Sequence, residues 1–138
     1  MPYVAKFCDF GVSEKLKAPF CENDVISKTA GTFHFFAPEC CDPNIETHSG
    51  RAADVWALGV TLYCLIFNEL PYWDQEMNEY QILDVILNEP VRLPESTNRQ
   101  VVSDEEYLER LREGTGEEQG VVAQGLVALM FQMLEKNP

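Results

Sequence analysis

Residues 55–67 form the longest apolar run in the chain, and any fold has to cover them. The run is about 13 residues, short of the roughly 20 that a membrane-crossing helix requires. It therefore predicts a helix over 51–69, buried on all sides in a core and stopped at Leu70-Pro71. A second, amphipathic helix is expected from Asp74 as N-cap, because Met77, Tyr80, Leu83, Ile86 and Leu87 recur at spacings of three and four before Pro90. A last helix over 121–135 gathers Val122, Leu126, Leu129, Met130, Met133 and Leu134 on one face.

The rest of the chain is less regular. Residues 3–8 read as a short strand ended by the turn Asp9-Phe10-Gly11, and 12–36 carry no sustained helical period and read as a long loop. Residues 95–120 form an acidic insertion, with eight acids against three arginines. Within it Ser103 and Glu106 make a capping box, Val102 can staple onto Tyr107, Glu106 can pair with Arg110, and Gly114 ends a short helix. The expected fold is mainly α, with one short strand, in a single domain.

Composition removes several function classes. A length of 138 residues allows one domain, and 46% hydrophobic residues can build a core. A net charge of −13 disfavours nucleic acid and anionic membrane surfaces as partners. The five cysteines form no CxxC pair and are odd in number, which points to reduced thiols in the cytoplasm. The N-terminal residues have no basic-then-apolar signal segment. His34 and His48 have no spaced partners that would make them metal ligands.

Three landmarks carry chemistry. Asp9-Phe10-Gly11 follows an apolar segment, a setting in which a carboxylate can hold a metal while glycine permits a sharp turn. Alone, such a tripeptide is more often only a turn. Downstream, past a Ser/Thr-bearing loop, stands Ala37-Pro38-Glu39, and then Asp54-Val55-Trp56-Ala57-Leu58-Gly59 opens the buried helix. The first two bracket an activation segment, 9–39, in the protein kinase signature set.

In this order the chain resembles the C-terminal lobe of a eukaryotic Ser/Thr protein kinase. Phe10-Gly11-Val12-Ser13-Glu14, Ser27-Lys28-Thr29-Ala30-Gly31-Thr32, Leu58-Gly59-Val60-Thr61-Leu62-Tyr63-Cys64, Leu70-Pro71-Tyr72 and Leu134-Glu135-Lys136-Asn137-Pro138 are most similar to the calcium/calmodulin-dependent protein kinase kinases and related upstream activators of the AMP-activated kinase. The resemblance covers about 1–94 and 121–138.

Position by position, the resemblance implies ATP and Mg²⁺ as cofactors. Asp9 would bind the magnesium bridging the ATP phosphates, with Phe10 and Gly11 completing the motif and Cys8 lining the floor of the nucleotide pocket. Thr32 would support the catalytic Asp beside the substrate site. Thr29, or else Ser27, would be the regulatory phosphosite, although both also read as ordinary solvated loop residues. Glu39 would form a structural ion pair with an arginine beyond Pro138, and Asp54 would orient the catalytic loop through backbone N–H groups. The resemblance implies protein substrates as partners, with another kinase as a candidate among them, and calmodulin acting through a segment outside this sequence.

Residues 1–138 contain no Gly-rich loop, no Lys–Glu pair and no His-Arg-Asp loop, so the expectation is a partial catalytic domain without its N-terminal lobe, inactive alone. Phe33 stands where proline usually follows Thr32, which bears on the substrate-binding loop. A non-catalytic interaction module that keeps the kinase lobe as a scaffold remains the alternative.

Overall fold

The computed structural model describes residues 4, 6–16, 24–27, 29–72, 76–91, 93 and 117–136, with the side chains of the last helix described from Gly125. The elements, in chain order, are β1 (Val25–Ile26), a single 3-10 turn (Phe33–Phe35), α1 (Pro38–Cys41), β2 (His48–Ser49), α2 (Gly50–Phe67), α3 (Glu79–Asn88) and α4 (Glu117–Met133). This is the mainly helical architecture expected, with one two-stranded sheet.

The strand content lies elsewhere than expected. Residues 6–8 are not in a strand and Phe7 is 95% exposed. A lone extended segment has no partner for its N–H and C=O groups. The two strands that do pair come from the middle of the long loop and from the residues before α2, antiparallel with Val25 opposite Ser49 and Ile26 opposite His48.

The 18-residue helix α2 starts where Ser49 caps it, its hydroxyl oxygen accepting from the Ala52 N–H at 3.1 Å. It stops at Asn68, earlier than Leu70-Pro71, because Asn68 adopts the left-handed conformation (φ 56°) and returns its N–H to the Cys64 carbonyl at 2.8 Å. By length and composition alone α2 could cross a membrane. Here one face of it is core. Trp56, Gly59, Val60 and Tyr63 are buried, whereas Val55, Leu58 and Leu65 are exposed, so the helix is not covered on all sides.

Helix α4 crosses α2 at Gly59 and buries Val127, Met130 and Leu134 there, leaving Leu126 and Leu129 largely exposed. The stripe that faces the core is therefore rotated relative to the one expected. Helix α3 begins later than Asp74, which is outside the described residues. Its cap is Asn78, which forms a reciprocal capping box with Gln81 (3.1 and 2.9 Å). Ile82 and Ile86 are its buried residues, and Tyr80, expected on the apolar face, is 84% exposed. Trp56 stacks on Tyr72 at 6.1 Å, and Lys136 lies over the Tyr72 ring while donating to the Ile86 carbonyl, which ties the end of the chain to α3. Most of the acidic insertion, including the Ser103–Glu106 capping box and Gly114, is outside the described residues.

Candidate activation segment and cleft

Asp9 is the first residue of the site with an unusual backbone. Its φ is 59°, in the left-handed region that costs most residues energy and that Asp tolerates better than most. The turn holds together through the Gly11 N–H, which donates to Asp9 Oδ1 at 3.2 Å, and the Ser13 N–H, which donates to the Phe10 carbonyl at 3.2 Å. A Cβ on Gly11 would meet that same Oδ1 at 3.2 Å, so glycine gives the carboxylate its room. Strained geometry of this kind clusters at functional sites. Cys8, Asp9, Phe10 and Gly11 are all exposed.

Gly31, at φ 127°, takes a backbone conformation that L side chains rarely adopt, and delivers the chain to Thr32. Thr32 (φ −94°, ψ 122°) precedes the 3-10 turn and accepts the Phe35 N–H on its carbonyl at 3.0 Å. This is the extended conformation that a following proline would impose. Phe33 therefore keeps the local backbone that proline would have set, and its ring stacks on His34 at 4.2 Å and packs on the core.

A cleft of about 730 Å³ runs between the segment and the start of α2. Its walls bring together Gly11, Thr29, Thr32, His48 and Asp54, from positions up to 43 residues apart in sequence (54 − 11). The Asp54 carboxylate is exposed on this wall. His48 contributes a buried Nε2 with no hydrogen-bond partner among the described residues. Cys8, Asp9, Phe10, Ser27 and Glu39 do not line the cleft. Ser27 and Thr29 are both exposed.

Glu39 sits in the first turn of α1, beside the half-buried Cys40 and Cys41. Burial, reinforced by the Glu39 charge, raises the Cys40 thiol to about 11. Burial first, then the Cys40 and Glu39 charges, raises Cys41 to about 12. Among the described residues no cation pairs with Glu39, and no group of three or more His, Cys, Asp or Glu could hold a metal.

Sequence reasoning missed Asp24 and Ser49. Ser49 donates its hydroxyl proton to Asp24 Oδ2, and the Gly50 N–H donates to the Asp24 carbonyl at 2.8 Å. The Ser49 hydrogen bond, with the Arg51 main chain and guanidinium, holds the Asp24 carboxyl below its usual range. The one sequence signal was Ser49 itself, a good N-cap directly ahead of the apolar helix.

Residues 2–138 match the protein kinase domain model. The chain is 41% identical over 93 residues to serine/threonine-protein kinase GRIK2 of Arabidopsis thaliana (67% of this chain, 22% of that protein). It is 45% identical over 94 residues to serine/threonine-protein kinase ssp1 of Schizosaccharomyces pombe (64% and 14%). It is 40% identical over 89 residues to calcium/calmodulin-dependent protein kinase kinase cmkC of Emericella nidulans (64% and 16%). The chain thus spans less than a quarter of the length of these curated relatives. With its signature motifs in order along one helical lobe, the chain belongs to the protein kinase family, among the serine/threonine kinases.

Proposed function

We propose that the chain works as the activation segment and lower helices of a longer serine/threonine kinase, one that transfers the ATP γ-phosphoryl to protein hydroxyls and acts upstream, on other kinases. The observation that carries this is the left-handed Asp9 at the head of a segment whose far end holds Thr32 on the same cleft as Asp54. The upstream role is supported by the name of the cmkC relative, a kinase kinase, and by the similarity of the activation-segment motifs.

Protein kinases as a family use ATP and Mg²⁺. An exposed carboxylate on a tight turn fits one oxygen ligand to Mg²⁺, an ion that takes the rest of its octahedron from phosphates and water. Asp9 would be the residue that holds the metal, and Cys8, Phe10 and Gly11 would lie beside the nucleotide. The metal would supply charge neutralisation at the phosphates. What this chain supplies is position: Thr32 and Asp54 face the cleft to hold the catalytic loop and the acceptor segment in register. Thr29 and Ser27 are exposed, as an activating phosphorylation would require, and added negative charge there could order the segment by pairing with arginine. Glu39 has a structural rather than a chemical role. Calmodulin regulation, if the parent has it, acts through residues outside 1–138, and a cytoplasmic location agrees with the free thiols of Cys8, Cys40, Cys41 and Cys64.

The test is Asp9→Asn in the full-length protein, with transfer of phosphoryl from Mg·ATP to a protein substrate as readout. Transfer should fall by at least about a hundredfold with the melting temperature unchanged, because the substitution keeps size and removes the anionic ligand. Near-wild-type turnover would overturn the assignment and favour a scaffold.

A further inference from the structure

The first three N–H groups of α2 belong to Gly50, Arg51 and Ala52, and an α-helix cannot satisfy them internally. Two residues meet this need between them. The Asp24 carbonyl accepts from the Gly50 N–H at 2.8 Å, the Asp24 carboxylate accepts a hydrogen bond from the Ser49 hydroxyl and interacts with the Arg51 main chain, and Ser49 Oγ accepts from the Ala52 N–H at 3.1 Å. Asp24 is a cap supplied from another element, 25 residues away in sequence. A carboxylate at this end of the 18-residue helix is also favoured by the helix dipole.

Its position in the chain gives the contact a consequence. Asp24 immediately precedes β1, so the ladder to His48–Ser49 starts at the clasp, and Ile26 then packs within 3.5 Å of where a Gly50 Cβ would lie and lines the cleft. Ser27 follows directly, and Thr29 and Thr32 stand five and eight residues beyond Asp24, lining the same cleft as Asp54. Among the described residues, Asp24 to Ile26 is where the middle of the segment is fastened by hydrogen bonds. Neither Ser27 nor Thr29 makes a backbone hydrogen bond to another element there.

We infer that Asp24 and Ser49 are positioning residues of the kinase, a clasp that docks the activation segment on the start of α2 and thereby holds the Thr29–Thr32 stretch in place for the protein substrate. Neither residue belongs to the Asp9–Gly11 turn, so the expected effect falls on the protein substrate. The inference rests on the kinase reading for its kinetic consequence and on the geometry alone for its structural one.

The experiment compares Asp24→Ala, Asp24→Asn, Ser49→Ala and the double Asp24→Ala/Ser49→Ala variant in the full-length protein. Amide exchange over 25–32 is read first, since it needs no activity. Asp24→Ala should speed exchange there at least about tenfold, and Asp24→Asn, which can still accept from Ser49, should recover most of the protection. Kinetically, KM for the protein substrate should rise about tenfold in Asp24→Ala, with KM for ATP held within about twofold. The double variant should be no worse than the poorer single one, because the two residues form one contact. Unchanged exchange in Asp24→Ala, equal shifts in both KM values, or additive effects would overturn the clasp. If the wild-type protein transfers no phosphoryl, the kinase reading fails while the exchange data still decide the clasp. If Ser49→Ala does not fold, the Ala and Asn variants at Asp24 decide it.

Discussion

The crossing of α2 and α4 offers a sharp test of the packing. A Cβ built on Gly59 would lie 2.9 Å from Met133 Cβ, 2.9 Å from Leu134 Cδ2 and 3.0 Å from Leu134 Cγ. Carbon atoms prefer about 3.5–4.0 Å, so Gly59→Ala forces an overlap of roughly 0.5–1 Å. The Leu134 side chain can rotate away at its tip, but Met133 Cβ is fixed to the backbone, and α4 as a whole has to move. Overpacking of this kind costs about 1–3 kcal/mol, against about 1 kcal/mol gained from the better helix propensity of alanine. A net loss of up to about 2 kcal/mol is expected. Gly125 in α4 is the control, because nothing lies within 4 Å of its Cβ position and Gly125→Ala should gain about 1 kcal/mol from propensity alone. Pulse proteolysis of the 138-residue chain across a urea series, at submicromolar concentration to limit association, should separate the two midpoints by about 1 M or more. A Gly59→Ala midpoint at or above that of Gly125→Ala would refute the close approach.

Three further outcomes are expected. With Val55, Leu58 and Leu65 of α2 and Leu126 and Leu129 of α4 exposed, the 138-residue chain should bind a hydrophobic dye and self-associate, and Leu58→Gln with Leu65→Gln should weaken both; an unaffected dye signal would place the sticky surface elsewhere. Cys8 is exposed, whereas burial raises Cys40 to about 11 and Cys41 to about 12, so iodoacetamide should label Cys8 before Cys40 and Cys41. These two half-buried thiols should gain reactivity still at pH 9–10, since the thiolate fraction keeps growing below its pKa, and a plateau near pH 8 would contradict this. Asn68→Val should cost roughly 1–2 kcal/mol at the left-handed cap while Asn68→Gly is tolerated, with the urea midpoint as readout; equal effects would mean the cap carries no strain.

Sequence pattern located the helices well because their apolar residues dominate, and located their ends less well because several signals competed. Leu70-Pro71 is a conspicuous stop, yet Asn68 ends α2 sooner by taking a backbone conformation that is not marked by composition. Asp74 is a plausible cap, but Asn78 with Gln81 satisfies two donors reciprocally and sets the true start of α3. Tyr80 fits a three-and-four spacing and still points outward, since the face is fixed by what Ile82 and Ile86 meet. At the candidate site, Asp9, Thr32 and Asp54 stand out in the sequence because each lies in a local motif. The Asp24–Ser49 contact was not, because it joins a loop to a helix start across 25 residues and neither residue is unusual alone.

The most direct measurement for the account as a whole is phosphoryl transfer from radiolabelled Mg·ATP to a protein substrate, run side by side with the full-length protein and with residues 1–138. The full-length protein should incorporate label on serine or threonine of the substrate, and residues 1–138, which contain Asp9 but no His-Arg-Asp loop, should incorporate none. Label transferred by residues 1–138, or none transferred by a folded full-length protein under the same conditions, would contradict the account.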